Sequence, residues 1–274
     1  MNASTATLPP GQRVAVVGAG IAGLASAYFL ARKHHVTVFE AGDYAGGHTN
    51  TVDVTLDGHC APVDTGFLVF NDRTYPNLIA LFDELGVSAI ASDMSFSVSV
   101  DGGALEWAGT NLNTVFAQRR NLYSPRFLGM LRDVLRFNAT AEQHLQSAVR
   151  ERQSVGDLLV ANGYGQPFQH HYLLPMAAIW SSRAADILHF PAATFLRFCL
   201  NHALLQIRHR PQWKTVAGGG RAYVRRMLAT LDDVRLRTPV RRVTRERDGV
   251  TIAFGNGESQ RFDAVVLAGH APDS

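Results

Sequence analysis

Apolar and polar positions along this chain fall into three stretches. Near the N-terminus, Val14 to Val17 is an unbroken apolar run, the pattern of a short strand buried on both faces of a parallel sheet. Beyond a glycine-rich turn, Leu24, Ala27, Tyr28 and Leu30 recur at helical spacing, and Val36 to Phe39 forms a second apolar run. From Thr51 to Asp64 the period drops to two: Val52, Val54 and Leu56 alternate with polar residues, and Asp57-Gly58 predicts a hairpin turn. The middle of the chain is mainly helical and apolar. Pro76 to Leu85 reads as a helix with proline in its first turn and Gly86 as its stop. Phe96, Val98 and Val100 alternate ahead of Asp101-Gly102-Gly103, with Leu105 and Trp107 beyond, which predicts another hairpin. Ser124-Pro125 opens a long helix with Phe127, Met130, Leu131, Val134 and Leu135 on one face. Ser154 and Asp157 form a capping box for a short helix ending near Gly163, and Pro191 begins a helix running through Leu205. After Trp213 strands return. Gly218, Gly219 and Gly220 precede a helix; Val234, Leu236, Val240 and Val243 alternate with arginines that read as the wet faces of a hairpin. Asp248-Gly249 and Gly255-Asn256-Gly257 read as turns, and Ala264 to Leu267 as a final buried strand.

The first glycine turn carries chemistry. Gly18, Gly20 and Gly23 form G-x-G-x-x-G between a strand and a helix. In that setting the first glycine permits a tight turn, the second lets backbone approach a pyrophosphate, and the third lets the helix lie close to the strand. The amides and dipole at the helix N-terminus favour phosphate. Ala19, Ile21 and Ala22 complete the turn. Glu40, with Ala41 after it, ends the second strand, where a carboxylate can accept from both hydroxyls of an adenosine ribose. Gly46 and Gly47, followed by His48, add a second glycine turn that a simple nicotinamide domain does not need.

This stretch resembles the extended FAD fingerprint of the flavin-containing amine oxidase superfamily, which includes monoamine oxidases, phytoene desaturases and protoporphyrinogen oxidases. His48 stands where the family usually has arginine, which makes the phosphate contact pH-dependent. The resemblance implies that Gly66 and Phe67 in VDTGFLVFN pass beside the flavin ring. It further implies that Val240 meets adenine through its backbone, and it brings Ala268 into the cofactor site. The runs HTNTVDV, TYPNL, SDMSFSVSV, FPAATFLRF and RPQWKTVAGGG narrow the likeness to a bacterial group of NAD/FAD-binding proteins often encoded beside a cyclopropane fatty acid synthase. The expected fold is α/β: a discontinuous Rossmann-like FAD-binding domain, residues 12–68 and 213–274, with an inserted, mainly helical α+β substrate domain, residues 69–212. The expected activity is FAD-dependent removal of hydride from a C–H bond of a hydrophobic small molecule, a lipid or an amine. Two alternatives stand beside it: a non-catalytic binding protein of the Rab GDP-dissociation-inhibitor type, and a nicotinamide-dependent dehydrogenase. No side chain is singled out as catalytic. The family continues past the position of Ser274, so the chain reads as a truncated product.

Composition narrows the field further. Lys and Arg number 26 against 23 Asp and Glu, a net charge of +3, and only Lys33 and Lys214 are lysines. That bias is mild and not clustered as in a nucleic-acid binder, so no nucleic-acid partner is expected. Two cysteines, Cys60 and Cys199, make no disulfide framework and fit a reducing compartment. No signal peptide or uncharged run of spanning length is present, so a cytoplasmic protein is expected, with peripheral membrane or lipid contact left open. The 11 histidines include the adjacent His170 and His171, but no metal-binding spacing, and no metal is expected.

Overall fold

The computed structural model describes residues 8–177, 183–206 and 210–273. The chain divides into two compact units, one of residues 1–70, 75–92 and 214–274, the other of residues 71–74 and 93–213.

The first unit is built on a four-stranded parallel sheet. Its strands lie in the order Asp233–Arg235, His35–Phe39, Arg13–Val17, Ala264–Leu267. Val14 pairs with Val36 on one side and Ala264 on the other. Strand alternation divides the apolar residues between two cores. Val14, Val16, Val36 and Val38 face helices and pack with Leu24, Phe82, Tyr223 and Met227. Ala15 and Phe39 face the opposite way, onto Val250, Ile252 and Phe262. These last belong to a three-stranded antiparallel sheet, Val240–Glu246, Gly249–Phe254 and Ser259–Phe262. Helices on one face and a small sheet on the other make this an α/β fold.

Three expectations change in this unit. Among the described residues Ala264–Leu267 pairs with one strand, Arg13–Val17; it is half-buried rather than buried, and Leu267 is 45% exposed. The alternation from Val234 to Val243 spans two sheets: Asp233–Arg235 joins the parallel sheet and Val240–Glu246 the antiparallel one. The helix Pro76–Leu85, expected in the middle domain, groups with the first unit, because Leu81 and Phe82 pack into the same core as Val14 and Tyr223. An amphipathic helix announces that it has a buried face but not which core receives it.

The second unit is mainly helical. Its longest element is Pro125–Glu151, opened by Ser124, whose hydroxyl accepts from the Phe127 amide. Phe127, Met130, Phe137, Ala141 and Ala148 of this helix are buried. Leu135 is 56% exposed, so it does not share that face; Asp133 and His144 are buried there instead. Both polar residues are satisfied. Asp133 Oδ2 accepts from the Gly165 amide at 3.0 Å, and His144 Nε2 lies 2.7 Å from the Tyr164 hydroxyl. Ser154 and Asp157 form the capping box of the helix Val155–Ala161. The helix after Pro191 spans Ala192–Asn201 and stops short of Leu205: the chain turns there, with Ala203 at φ 55°. A hairpin of Ser97–Val100 and Leu105–Ala108 buries Val98 and Trp107 against this core. Among the described residues no helix is long and apolar enough to cross a membrane.

Candidate functional site

The glycine turn begins where the first strand ends. Gly18 takes φ 103° and donates its amide to the Phe39 carbonyl at 2.8 Å, which ties the turn to the second strand. A Cβ at Gly18 would lie 2.9 Å from the Ala268 carbonyl oxygen, so the turn is pressed against the end of the last strand. Gly23 is tighter still, with its Cβ position 1.8 Å from the Gly18 carbonyl oxygen. No side chain fits there, and the helix Ile21–Leu30 lies directly on the strand end for that reason. Gly20 differs: a Cβ built on it meets nothing within 4 Å. Its glycine identity answers to no protein neighbour. Ala19 is buried beneath the turn, while Ile21 and Ala22 are exposed at the helix N-terminus.

Glu40 braces this turn. Its Oε2 accepts from the Ala19 amide at 2.7 Å, and its Oε1 accepts from the Gly42 amide at 2.8 Å. The sequence offers this carboxylate only to a ribose, and its structural work was missed. Two amides leave part of its acceptor capacity, since a carboxylate has about four lone-pair sites. Ala41 beside it is exposed.

The second glycine turn docks on the first. The Gly46 amide donates to the Ala19 carbonyl at 2.8 Å, and Gly20 and Gly46 form an isolated parallel bridge. A Cβ on Gly47 would lie 3.0 Å from the Gly20 Cα. His48 is exposed, and its ring centroid lies 5.7 Å from that of His270. Gly66 comes up beneath His48, with its Cβ position 1.8 Å from the His48 carbonyl oxygen, and the Phe67 amide donates to that same oxygen at 3.2 Å. Val240 is half-buried beside Phe39 and Phe254 in the antiparallel-sheet core, two residues beyond Thr238, whose amide donates to the Glu40 carbonyl at 2.8 Å. Ala268 donates its amide to the Val17 carbonyl at 2.8 Å.

A set of braces behind the second turn escaped the sequence. Thr49 Oγ1 lies 2.6 Å from the Tyr223 hydroxyl, both groups buried. Asp64 Oδ1 accepts from the Thr51 hydroxyl at 2.5 Å and from the Gly220 amide at 2.9 Å. Arg221 grips Asp53 with two guanidinium nitrogens, at 2.7 and 2.6 Å, and holds that carboxyl below its ordinary pKa. The hairpin Thr51–Asp64 is thereby pinned to the glycine triplet Gly218–Gly220. A Cβ on Gly219 would sit 2.4 Å from Thr51 Cγ2 and one on Gly220 2.6 Å from Thr49 Cγ2, so packing fixes these two glycines, whereas a Cβ on Gly218 meets nothing within 4 Å. Among the described residues no group of three or more His, Cys, Asp or Glu could hold a metal ion.

Two glycine turns locked edge to edge over a helix N-terminus, with an acidic residue at the end of the second strand, define a dinucleotide-binding protein of the two-turn kind. The chain belongs to the flavin containing amine oxidoreductase family, whose model matches residues 21–273. It is 28% identical over 271 residues to AofH of Mycobacterium tuberculosis, named as a flavin-containing monoamine oxidase, across 92% of this chain and 56% of that protein. It is 53% identical over 51 residues to an L-amino-acid oxidase of Crotalus adamanteus, across 18% of this chain and 10% of that protein. Among solved structures, cyclohexylamine oxidase from Brevibacterium oxydans matches at a TM-score of 0.71 and 21% identity, over 94% of this chain and 58% of that one. A redesigned putrescine oxidase matches at 0.67 and 24%, over 94% and 58%. These structural likenesses show the fold. The chain spans about half the length of the curated relatives that it matches end to end.

Proposed function

We propose that this chain forms the FAD-binding part, with some of the substrate domain, of an oxidoreductase that takes hydride from a C–H bond of a hydrophobic small molecule, an amine or a lipid. The observation that carries this reading is the docking of the second glycine turn on the first, with Gly46 bonded to Ala19 and Gly47 pressed on Gly20. A single-turn nicotinamide site has no need of that second surface. The open space beside Gly20 fits a pyrophosphate approaching the backbone. FAD, when bound, supplies the hydride acceptor. The protein's part is to bind, orient and exclude water. Amides at the N-terminus of the helix Ile21–Leu30 face the phosphates. Glu40 keeps acceptor capacity for the ribose hydroxyls while holding the Ala19 amide in place. Gly66 and Phe67 line the path to the flavin ring, Val240 offers backbone to adenine, and Ala268 closes the floor of the turn. In this reading the second unit is a substrate domain, and the protein works in the cytoplasm without a nucleic-acid partner.

The test is a visible spectrum of the purified protein, followed by anaerobic addition of hydrophobic amines or acyl lipids. Bound flavin that bleaches with one of these classes supports the reading. Bound flavin that no substrate bleaches favours a binding protein, and nicotinamide binding without flavin favours a dehydrogenase.

A further inference from the structure

We infer that the second unit carries a binding site of its own, at the N-terminus of the helix Pro125–Glu151, for a small monocarboxylate with an apolar body. The inference goes beyond the FAD reading and does not depend on it. A cavity of about 250 Å³ opens there, and every residue of its wall belongs to the second unit. Sites for drug-sized molecules measure roughly 300–1,000 Å³, so this one takes a small molecule. The helix is 27 residues long, and its N-terminus is the positive end of its dipole. In its first turn Pro125 has no N–H, the Phe127 amide donates to the Ser124 hydroxyl at 3.3 Å, and the Leu128 amide donates to the Ser124 carbonyl at 2.9 Å. That leaves the Arg126 amide as the open donor of the turn among the described residues. The Arg126 side chain also lines the cavity and has no ion-pair partner among the described residues.

A helix end alone names no ligand. The second, independent sign is Asn121, which lines the same cavity, is 6% exposed, and keeps an Nδ2 with no hydrogen-bond partner. An amide buried without an acceptor is costly, and folded proteins seldom leave one so. His171, also on the wall, has its Nδ1 buried without a partner. The Arg126 charge reaches this ring: burial first, and then that charge, hold the His171 pKa below its ordinary 6.5. The ring is therefore neutral at pH 7 and offers one N–H. Donors thus gather on one side of the cavity, and a guanidinium fork suits a carboxylate. The rest of the wall decides which anion fits. Leu105, Phe127 and Met130 make it apolar, which suits a hydrocarbon body. Asp101, exposed on the same wall, repels a second negative charge. A phosphate dianion meets both obstacles; a monocarboxylate sets its single charge against Arg126 and Asn121 and its body against Phe127 and Met130.

The experiment is isothermal titration calorimetry of the full chain at neutral pH with sodium benzoate, sodium hexanoate, benzamide and inorganic phosphate. At least one of the two carboxylates should bind saturably at a single site, and their ratio tells a flat aromatic body from a flexible aliphatic one. Benzamide, which keeps the shape of benzoate without its charge, and phosphate should bind at least tenfold more weakly. Arg126→Gln should weaken carboxylate binding by roughly tenfold to a hundredfold, the range for a hydrogen bond to a charged group. Asn121→Asp keeps the shape of the side chain but replaces its donor with an anion, and should weaken binding at least as much. Arg126 is exposed, so its substitution should leave the melting temperature unchanged, and the test stands even where the Asn121 variant fails to fold. Absence of saturable carboxylate binding, equal binding of benzamide or phosphate, or undiminished carboxylate binding by Arg126→Gln overturns the inference.

Discussion

Gly23 and Gly66 are each fixed by a backbone oxygen 1.8 Å from where a Cβ would stand, and Gly20 by nothing in the protein. The three positions therefore respond differently to one added methyl group. Gly23→Ala or Gly66→Ala must push backbone apart, and should cost about 1–3 kcal/mol or more, as overpacking does. That loss is read as a lowered denaturation midpoint, with flavin binding falling alongside it. Glu40 has two roles to lose. Glu40→Ala frees the Ala19 and Gly42 amides as well as the ribose partner, so stability should drop by about 1–3 kcal/mol even without cofactor. Urea unfolding of the cofactor-free protein checks this: a wild-type midpoint would show that Glu40 serves only the ligand.

Between elements, the joints are polar. Thr49 and Tyr223 bond across 174 positions of sequence, inside the core. Tyr223→Phe leaves the Thr49 hydroxyl buried without its partner, which should cost about 1–3 kcal/mol. Protection of the Gly46–Thr49 amides from hydrogen exchange should fall more than that of the parallel sheet. In the second unit, the helix Pro125–Glu151 buries His144 beside Tyr164. Burial, and then the charge of Arg136, lower the pKa of His144 below its ordinary 6.5. The unfolded chain thus binds this proton more readily than the folded one. The stability His144 contributes is present above pH 6.5 and is lost as pH falls through its folded value. Thermal melts from pH 8 down to 5 should show a destabilisation that is smaller in His144→Gln; an identical decline in both would contradict the assignment. These joints explain what the sequence could and could not say. Apolar runs and glycine spacing made the strand–turn–helix start, the hairpins and both fingerprint turns legible, because each is set by local chemistry. Thr49, Asp64 and Tyr223 carry no local pattern, since their partners arrive only when distant segments meet. The same holds for the helix Pro76–Leu85, whose buried face was readable but whose core was not. Leu135 was misplaced because the long helix gives part of its buried face to Asp133 and His144.

On the scale of the whole molecule, the first unit brings residues 18–23, 40, 46–48, 66–67 and 268 to one end of a parallel sheet, and the family match covers residues 21–273. In the proposed function this end of the sheet holds the adenosine and pyrophosphate of FAD. Gly20 offers the most direct test, because a Cβ there meets no protein atom within 4 Å. The decisive measurement is a paired FAD titration and thermal melt of the wild-type protein and Gly20→Val. The wild type should bind FAD saturably, and the variant at least a hundredfold more weakly, more than about 2.7 kcal/mol, at a nearly unchanged melting temperature. Equal FAD affinity in the two proteins, or no saturable FAD binding by the wild type, would contradict it.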